Sequence, residues 1–216
     1  MDLEREKQRA AQAAAQLVDD GMTVGLGTGS TVAHLLPALA ARRIEVTCVA
    51  TSPRTEAAAR ELGIRVEPFD SLDRLDIAID GADQISPDGW LVKGGGAALT
   101  REKIVACAAD LFVVIADSSK PVPALRSPIP LELLGFGLPV TLRQLADATL
   151  RDVPPSPDGG VIADYLGDVS DPAALAAWLD SIPGVVDHGL FAPRIVGKVL
   201  VGRGDTVELS APGGDG

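Results

Sequence analysis

The stretch MTVGLGTGSTVAHLLPALAA, Met22 to Ala41, decides the fold. It opens with a short apolar run that ends in glycines, the pattern of a buried strand. From Ser30 to Ala41 it is apolar and rich in alanine, which predicts a helix capped by Ser30 or Thr31. Between the two lies Gly25-Leu-Gly-Thr-Gly-Ser-Thr31. A strand that turns through glycines into a helix is the first half of a βαβ unit.

The same alternation repeats outward from this turn. Residues 1–20 read as a helix, Glu45–Ala50 as a strand, and Pro53–Leu62 as a helix stopped by Gly63. Arg65–Glu67 reads as a brief strand and Leu75–Ile79 as a stronger one. A long helix follows over Ala97–Ala109, then a buried strand over Leu111–Ala116. This spacing predicts an α/β fold, a mostly parallel sheet flanked by helices. Beyond Lys120 the composition changes, because Pro121, Pro123, Pro128 and Pro130 forbid regular helix there. A helix Leu142–Leu150, a strand Val161–Ala163, a helix Pro172–Leu179 and strands Val185–Phe191 and Val196–Val201 predict a smaller α+β unit. The expected domains are 1–126, completed by 200–210, and 127–199. A last strand, Asp205–Leu209, is expected to return to the first sheet, and the tail from Ala211 to Gly216 to be disordered.

Composition narrows the function. The 216 residues carry 30 acidic against 19 basic side chains, a formal net charge of −11. A broad nucleic-acid surface is disfavoured, since phosphate backbones reward clustered cations, and so is an anionic membrane surface. The most apolar stretch, Ile104–Ala116, is interrupted by Asp110 and is too short to span a bilayer. Two cysteines, Cys48 and Cys107, offer no disulfide framework. No secretory signal stands at the start, so a cytoplasmic protein is expected.

Four motifs carry chemistry. The glycines of Gly25–Thr31 let backbone N–H groups approach an anion, the helix start adds donors and partial positive charge, and Thr28, Gly29, Ser30 and Thr31 line the turn. The spacing is neither that of a dinucleotide fingerprint nor of a Walker loop. Asp76-Ile-Ala-Ile-Asp80-Gly81-Ala82-Asp83 ends a strand in carboxylates. Asp80 and Asp83 could bind a metal, act as acid and base, or hold sugar hydroxyls, or simply form a solvated turn, while Asp76 starts the strand. In Lys93-Gly94-Gly95-Gly96-Ala-Ala-Leu-Thr-Arg-Glu102, three successive glycines are entropically costly unless backbone must touch a ligand. Lys93 is one of only five lysines against fourteen arginines, and Glu102 lies near a helix start, where its charge also favours the helix. Asp117-Ser-Ser-Lys120 ends another strand, and Lys120, at a neighbouring strand end, is expected to close the anion site as a point charge. With only His34 and His188 in the chain, a histidine-based zinc site or a serine triad is poorly supported, and no metal is expected.

Taken together, GLGTGSTV, ATSPRTEAAAR, DIAIDGAD, KGGGAALTREKIVA, DSSK and IPGVVDHGLFA resemble the type A ribose-5-phosphate isomerase family, in that family's order and over nearly the whole chain. The resemblance implies a Rossmann-like domain with a smaller α+β lid, usually in a homodimer or a dimer of dimers, and the interconversion of D-ribose 5-phosphate and D-ribulose 5-phosphate without metal or other cofactor. By motif position it implies Glu102 as the base that moves a proton between C2 and C1. Asp80 and Asp83 would hold hydroxyls and assist ring opening and proton transfer between oxygens, and Lys93 would stabilise enediolate charge. Thr28 to Thr31, Asp80 to Asp83, Lys93, Gly94 to Gly96 and Lys120 would contact substrate. The family usually reads DGADE, where this chain has Gln84, and it matches loosely around Pro128–Val140 and Asp158–Gly160. A second reading is a sugar-phosphate-binding effector domain without catalysis; Lys93 with Glu102 and the lack of a DNA-binding unit argue against it.

Overall fold

The computed structural model describes residues 2–211, so all of the expected disordered tail except Ala211 lies outside the described residues. The chain forms two compact units, one of residues 2–82, 101–120 and 193–211, the other of 83–100 and 121–192. In chain order the first unit begins with α1 (Leu3–Ala15), β1 (Thr23–Leu26), α2 (Ser30–Ala40), β2 (Thr47–Ala50), α3 (Pro53–Glu61) and β3 (Leu75–Gly81). The short strands β4 (Gln84–Ile85) and β5 (Leu91–Val92) follow in the second unit, then α4 (Leu99–Ala108) and, in the first unit, β6 (Ala109–Asp117). The second unit continues with β7 (Ile129–Leu133), α5 (Leu138–Leu145), β8 (Ala148–Leu150), β9 (Val161–Tyr165), α6 (Pro172–Asp180), β10 (Val185–His188) and β11 (Leu190–Phe191). Finally β12 (Lys198–Arg203) and β13 (Thr206–Ser210) belong to the first.

The first unit is the expected α/β fold. Its sheet runs β13-β12-β6-β3-β1-β2, parallel throughout except for the β12–β13 hairpin. Alternation sorts the strand residues between two helical layers. Val24, Leu26, Ile77, Ile79, Val113 and Ile115 pack with Ala10, Ala14, Val32, Leu35 and Leu39 of α1 and α2. The residues between them face α4: a Cβ on Gly25 would lie 2.4 Å from Val105 Cγ1 and 3.0 Å from Ala78 Cβ. β2 lies on one side of β1 and β3 on the other, so the chain reverses its winding between β1 and β3. Loops leaving the carboxyl ends of two such strands diverge and leave a crevice for ligands.

Three expectations about this unit need correction. No side chain caps α2, because the helix starts at Ser30 itself and its cap is Gly29 at φ 128°. Arg65–Glu67 is only a bridge, Val66 beside Cys48. The strand expected at Val196–Val201 in the smaller unit is β12, which pairs in parallel with β6 of the first sheet.

The second unit holds an antiparallel sheet, β10-β7-β9-β8, and a small one, β11-β5-β4. Ile129, Leu131 and Leu133 of β7 pack with Leu145, Leu175 and Leu179 of α5 and α6. The helix expected at Leu142–Leu150 instead ends at Leu145, where Ala146 turns to φ 48°, and Ala148–Leu150 pairs with β9. The single strand expected over Val185–Phe191 is split at Gly189 between the two sheets. There the Gly189 N–H donates to the Pro130 carbonyl at 2.7 Å, and the Lys93 N–H donates to the Gly189 carbonyl at 2.8 Å.

Candidate active site

The proposed site residues fall in both units. In the first, the β1–β3 register sets Leu26 against Ile79, so Gly27 and Asp80 leave the sheet side by side. Asp80 Oδ1 accepts from the N–H groups of Thr28 (3.1 Å) and Gly81 (2.7 Å). A Cβ on Gly27 would stand 1.9 Å from the Asp80 carboxyl, so any other residue here must displace that carboxyl. Asp80 is 3% exposed, and a carboxylate is buried so deeply only where hydrogen bonds or charges receive it. Asp76, by contrast, accepts from the Thr23 N–H (2.7 Å) and hydroxyl (2.8 Å) and ties β3 to β1 at the opposite end. Those bonds hold its carboxyl below the usual aspartate range.

Behind the glycine turn stands a hydroxyl cluster; Thr51 and Ser52 stand out in the sequence at the end of their strand, but without an assigned role. Thr28 Oγ1 lies 2.9 Å from Thr51 Oγ1 and donates to Ser52 Oγ at 2.8 Å, and Thr55 Oγ1 donates to the Gly27 carbonyl at 3.0 Å. Its signal was the serine and threonine spacing of TSPRT directly after β2. The cluster fixes the turn, while Gly29 at φ 128° carries the chain into α2.

Glu102 occupies the first turn of α4 and is 3% exposed. The packing of Val105 on the glycine gap of β1 seats this helix against the sheet. Lys120 is half-buried in the turn after β6. One expectation changes here: β6 neighbours β3, not β1, so Lys120 follows the strand next to the one that bears Asp80.

In the second unit, Asp83 follows the β3 turn and its N–H donates to the Val92 carbonyl at 2.8 Å. The Gly95 N–H donates to Asp83 Oδ2 at 2.9 Å. Gly94 is required by its φ of 102° and by Leu99 and Pro130, each 2.9 Å from where its Cβ would lie. Lys93, buried at the end of β5, sets its ammonium 5.4 Å from the Phe191 ring centroid. Arg151 and Asp164, also missed in the sequence, flank this loop, and the Arg151 Nη1 donates to the Gly94 carbonyl at 3.1 Å. Both histidines make structural contacts: His34 Nε2 lies 3.0 Å from Glu4 Oε2, and His188 Nδ1 accepts from the Leu190 N–H at 3.2 Å. Among the described residues no three His, Cys, Asp or Glu side chains group as a metal site.

The family model described as Ribose 5-phosphate isomerase A (phosphoriboisomerase A) matches residues 47–206. The chain belongs to this family. It is 47% identical over 229 residues to a ribose-5-phosphate isomerase A of Roseiflexus sp. (strain RS-1), covering 98% of both chains. Against a Caulobacter vibrioides ribose-5-phosphate isomerase A it is 46% identical, covering 98% of this chain and all of the other. The solved ribose 5-phosphate isomerase A of Methanocaldococcus jannaschii superposes with a TM-score of 0.89 at 35% identity, covering 95% of this chain and 97% of that one. A D-ribose-5-phosphate isomerase solved in complex with phospho-erythronic acid superposes with a TM-score of 0.91 at 34% identity, over 98% and 100% of the two chains. A DeoR C-terminal sensor domain model also matches, but only over residues 3–66, short of Asp80, Lys93 and Glu102.

Within the family pattern, Gln84 has a local reason. Its Nε2 donates to the Arg126 carbonyl at 2.7 Å and its Oε1 accepts from the Arg126 N–H at 2.9 Å. An ionised glutamate could accept the second bond but not donate the first.

Proposed function

We propose that this chain interconverts D-ribose 5-phosphate and D-ribulose 5-phosphate, with Glu102 as the base that carries the proton between C2 and C1. The observation that carries this reading is the burial of Glu102, Asp80 and Lys93, each 3% exposed, in a chain of this family. Burying three ionisable side chains costs stability, and all three stand in the motifs that carry the likeness to this family. Moving a carbonyl from C1 to C2 requires removal of a carbon-bound proton, and a carboxylate sheltered from water can take it and return it. Negative charge then grows on oxygen, and Lys93 with nearby N–H donors stabilises it. Asp80 and Asp83 hold hydroxyls and pass protons between oxygens. Thr28, Gly29, Ser30, Thr31 and Lys120 take the phosphate, with Gly81, Ala82 and Gly94 to Gly96 as further contacts. A related structure holding phospho-erythronic acid supports a phosphorylated sugar as the ligand class. No metal or other cofactor takes part.

The second unit serves as the smaller lid domain of this reading, and the enzyme works as a homodimer. Leu134, Phe136 and Val140, in and just after the β7–α5 connection, are 51%, 88% and 50% exposed, an apolar run that a second copy would cover. A cytoplasmic location fits the free thiols of Cys48 and Cys107. No helix among the described residues is long and apolar enough to cross a membrane.

The test is a double comparison of parent and Lys120→Ala on ribose 5-phosphate and on ribose. Lys120→Ala is expected to weaken the phosphorylated substrate by about 1.5–3 kcal/mol, the scale of a charge-assisted hydrogen bond, and to leave ribose nearly untouched. Equal harm to both removes Lys120 from the phosphate, and a parent inactive on ribose 5-phosphate overturns the isomerase reading.

A further inference from the structure

Arg151 lies in none of the motifs above, yet its guanidinium is tied to the triple-glycine loop. Nε donates to Asp164 Oδ2 at 2.9 Å and Nη2 donates to Asp164 Oδ1. Nη1 donates to the carbonyls of Gly94 at 3.1 Å and, more weakly, Gly95 at 3.4 Å. The two side chains are only 19% and 16% exposed. Asp164 stands in β9, paired with Pro130 of β7 and Thr149 of β8, so the brace is anchored on a sheet. Only a rigid fork of donors can satisfy a carboxylate along one edge and carbonyls along another.

Peptide geometry gives the consequence. In a trans peptide the N–H points opposite to the preceding carbonyl. Holding the Gly94 carbonyl on Arg151 turns the Gly95 N–H away from it, and that N–H donates to Asp83 Oδ2. Holding the Gly95 carbonyl turns the Gly96 N–H away from Arg151 in the same manner. Gly95 and Gly96 are exposed, and without side chains they would otherwise sample many conformations. The Asp164 hydrogen bonds and, more weakly, the charge of Asp83 keep Arg151 protonated beyond its ordinary range.

We propose that Arg151, braced by Asp164, is a positioning residue for the isomerisation: it aims the Gly95 and Gly96 amides and, through Gly95, fixes the Asp83 carboxylate. The proposal rests on the reading that the glycine loop and Asp83 handle the substrate's reacting oxygens. The phosphate is assigned to other residues, so loss of the brace should fall on kcat and spare KM.

The experiment measures kcat and KM for ribose 5-phosphate in the parent, Arg151→Ala, Arg151→Lys and Glu102→Gln, each checked for native circular dichroism. Arg151→Ala is expected to lose about 30- to 100-fold in kcat with KM within about threefold, as for misaimed groups at a reacting centre. Millimolar guanidinium chloride should restore kcat several-fold in Arg151→Ala and not in Glu102→Gln. A folded Arg151→Ala with kcat within twofold of the parent, or a loss that guanidinium leaves unchanged, overturns the proposal. Should Arg151→Ala not fold, Arg151→Lys decides: about a tenfold loss in kcat supports the brace, because one ammonium cannot hold both partners, and parental kcat overturns it. Parental turnover in Glu102→Gln would instead overturn the underlying site assignment, whatever Arg151 does.

Discussion

Gly27 carries more of the site than its size implies. Its missing Cβ leaves room for the Asp80 carboxyl, which would otherwise be met at 1.9 Å. Gly27→Ala should therefore expel Asp80 from its seat on the Thr28 and Gly81 amides, lowering kcat at least about tenfold as a preorganised group is lost, while circular dichroism stays native. Unchanged turnover would mean that Asp80 acts from elsewhere. The two cysteines differ as sharply. Burial pushes the Cys48 thiol up to about 12, whereas Cys107 is exposed on α4. A thiol reagent at pH 8 should label one cysteine in the native protein and both after denaturation, because the thiolate is the reactive form. At this scale the glycines and carboxylates were legible because each is a local departure from what a strand or helix needs. Arg151 was not, since its meaning lies in carbonyls 57 and 56 positions away.

Among the elements, α1 shows what periodicity reveals and what it hides. The sequence reads as a helix, yet Glu6, a charged residue, faces inward and is 1% exposed. Its Oε2 accepts from the Ser118 N–H at 2.9 Å and from the Ser118 hydroxyl, and its Oε1 accepts from the Gly204 N–H at 2.9 Å. One carboxylate thus clasps the end of β6 and the β12–β13 turn onto α1. These donors, Ser118 first, hold its carboxyl below the ordinary 4.5. A depressed folded-state value contributes stability that is complete above the unfolded value and lost as pH falls through the folded one. Glu6→Gln should lower the melting temperature by a few degrees at pH 7, and the difference from the parent should shrink below pH 4. A difference that persists unchanged in acid would remove the charge from the explanation. Long helices and the strands beside the glycine turn were legible because their patterns run for several residues. The second unit was read less well: its strands of two to five residues give too little alternation to count. The helix there was read too far along because Ala146 turns against its preference, supported by pairing with β9.

Across the whole molecule, the family's fold carries the proposed site, whose chemistry would rest on Glu102, Asp80, Asp83, Lys93 and backbone amides. Activity should survive a chelator, and loss with EDTA restored by a divalent cation would contradict the assignment of Asp80 and Asp83. Phe136→Asp should shift the protein from dimer to monomer in light scattering; a parent that is already monomeric would contradict the dimer. The central claim is that Glu102 moves the proton between C2 and C1. It is tested most directly by following ribose 5-phosphate in deuterated water by NMR, comparing the parent with Glu102→Gln. The parent should form ribulose 5-phosphate and incorporate solvent deuterium at its C1, while a natively folded Glu102→Gln should do both at least about a hundredfold more slowly, the scale of a lost general base. Exchange and turnover at the parental rate in that variant would contradict the account.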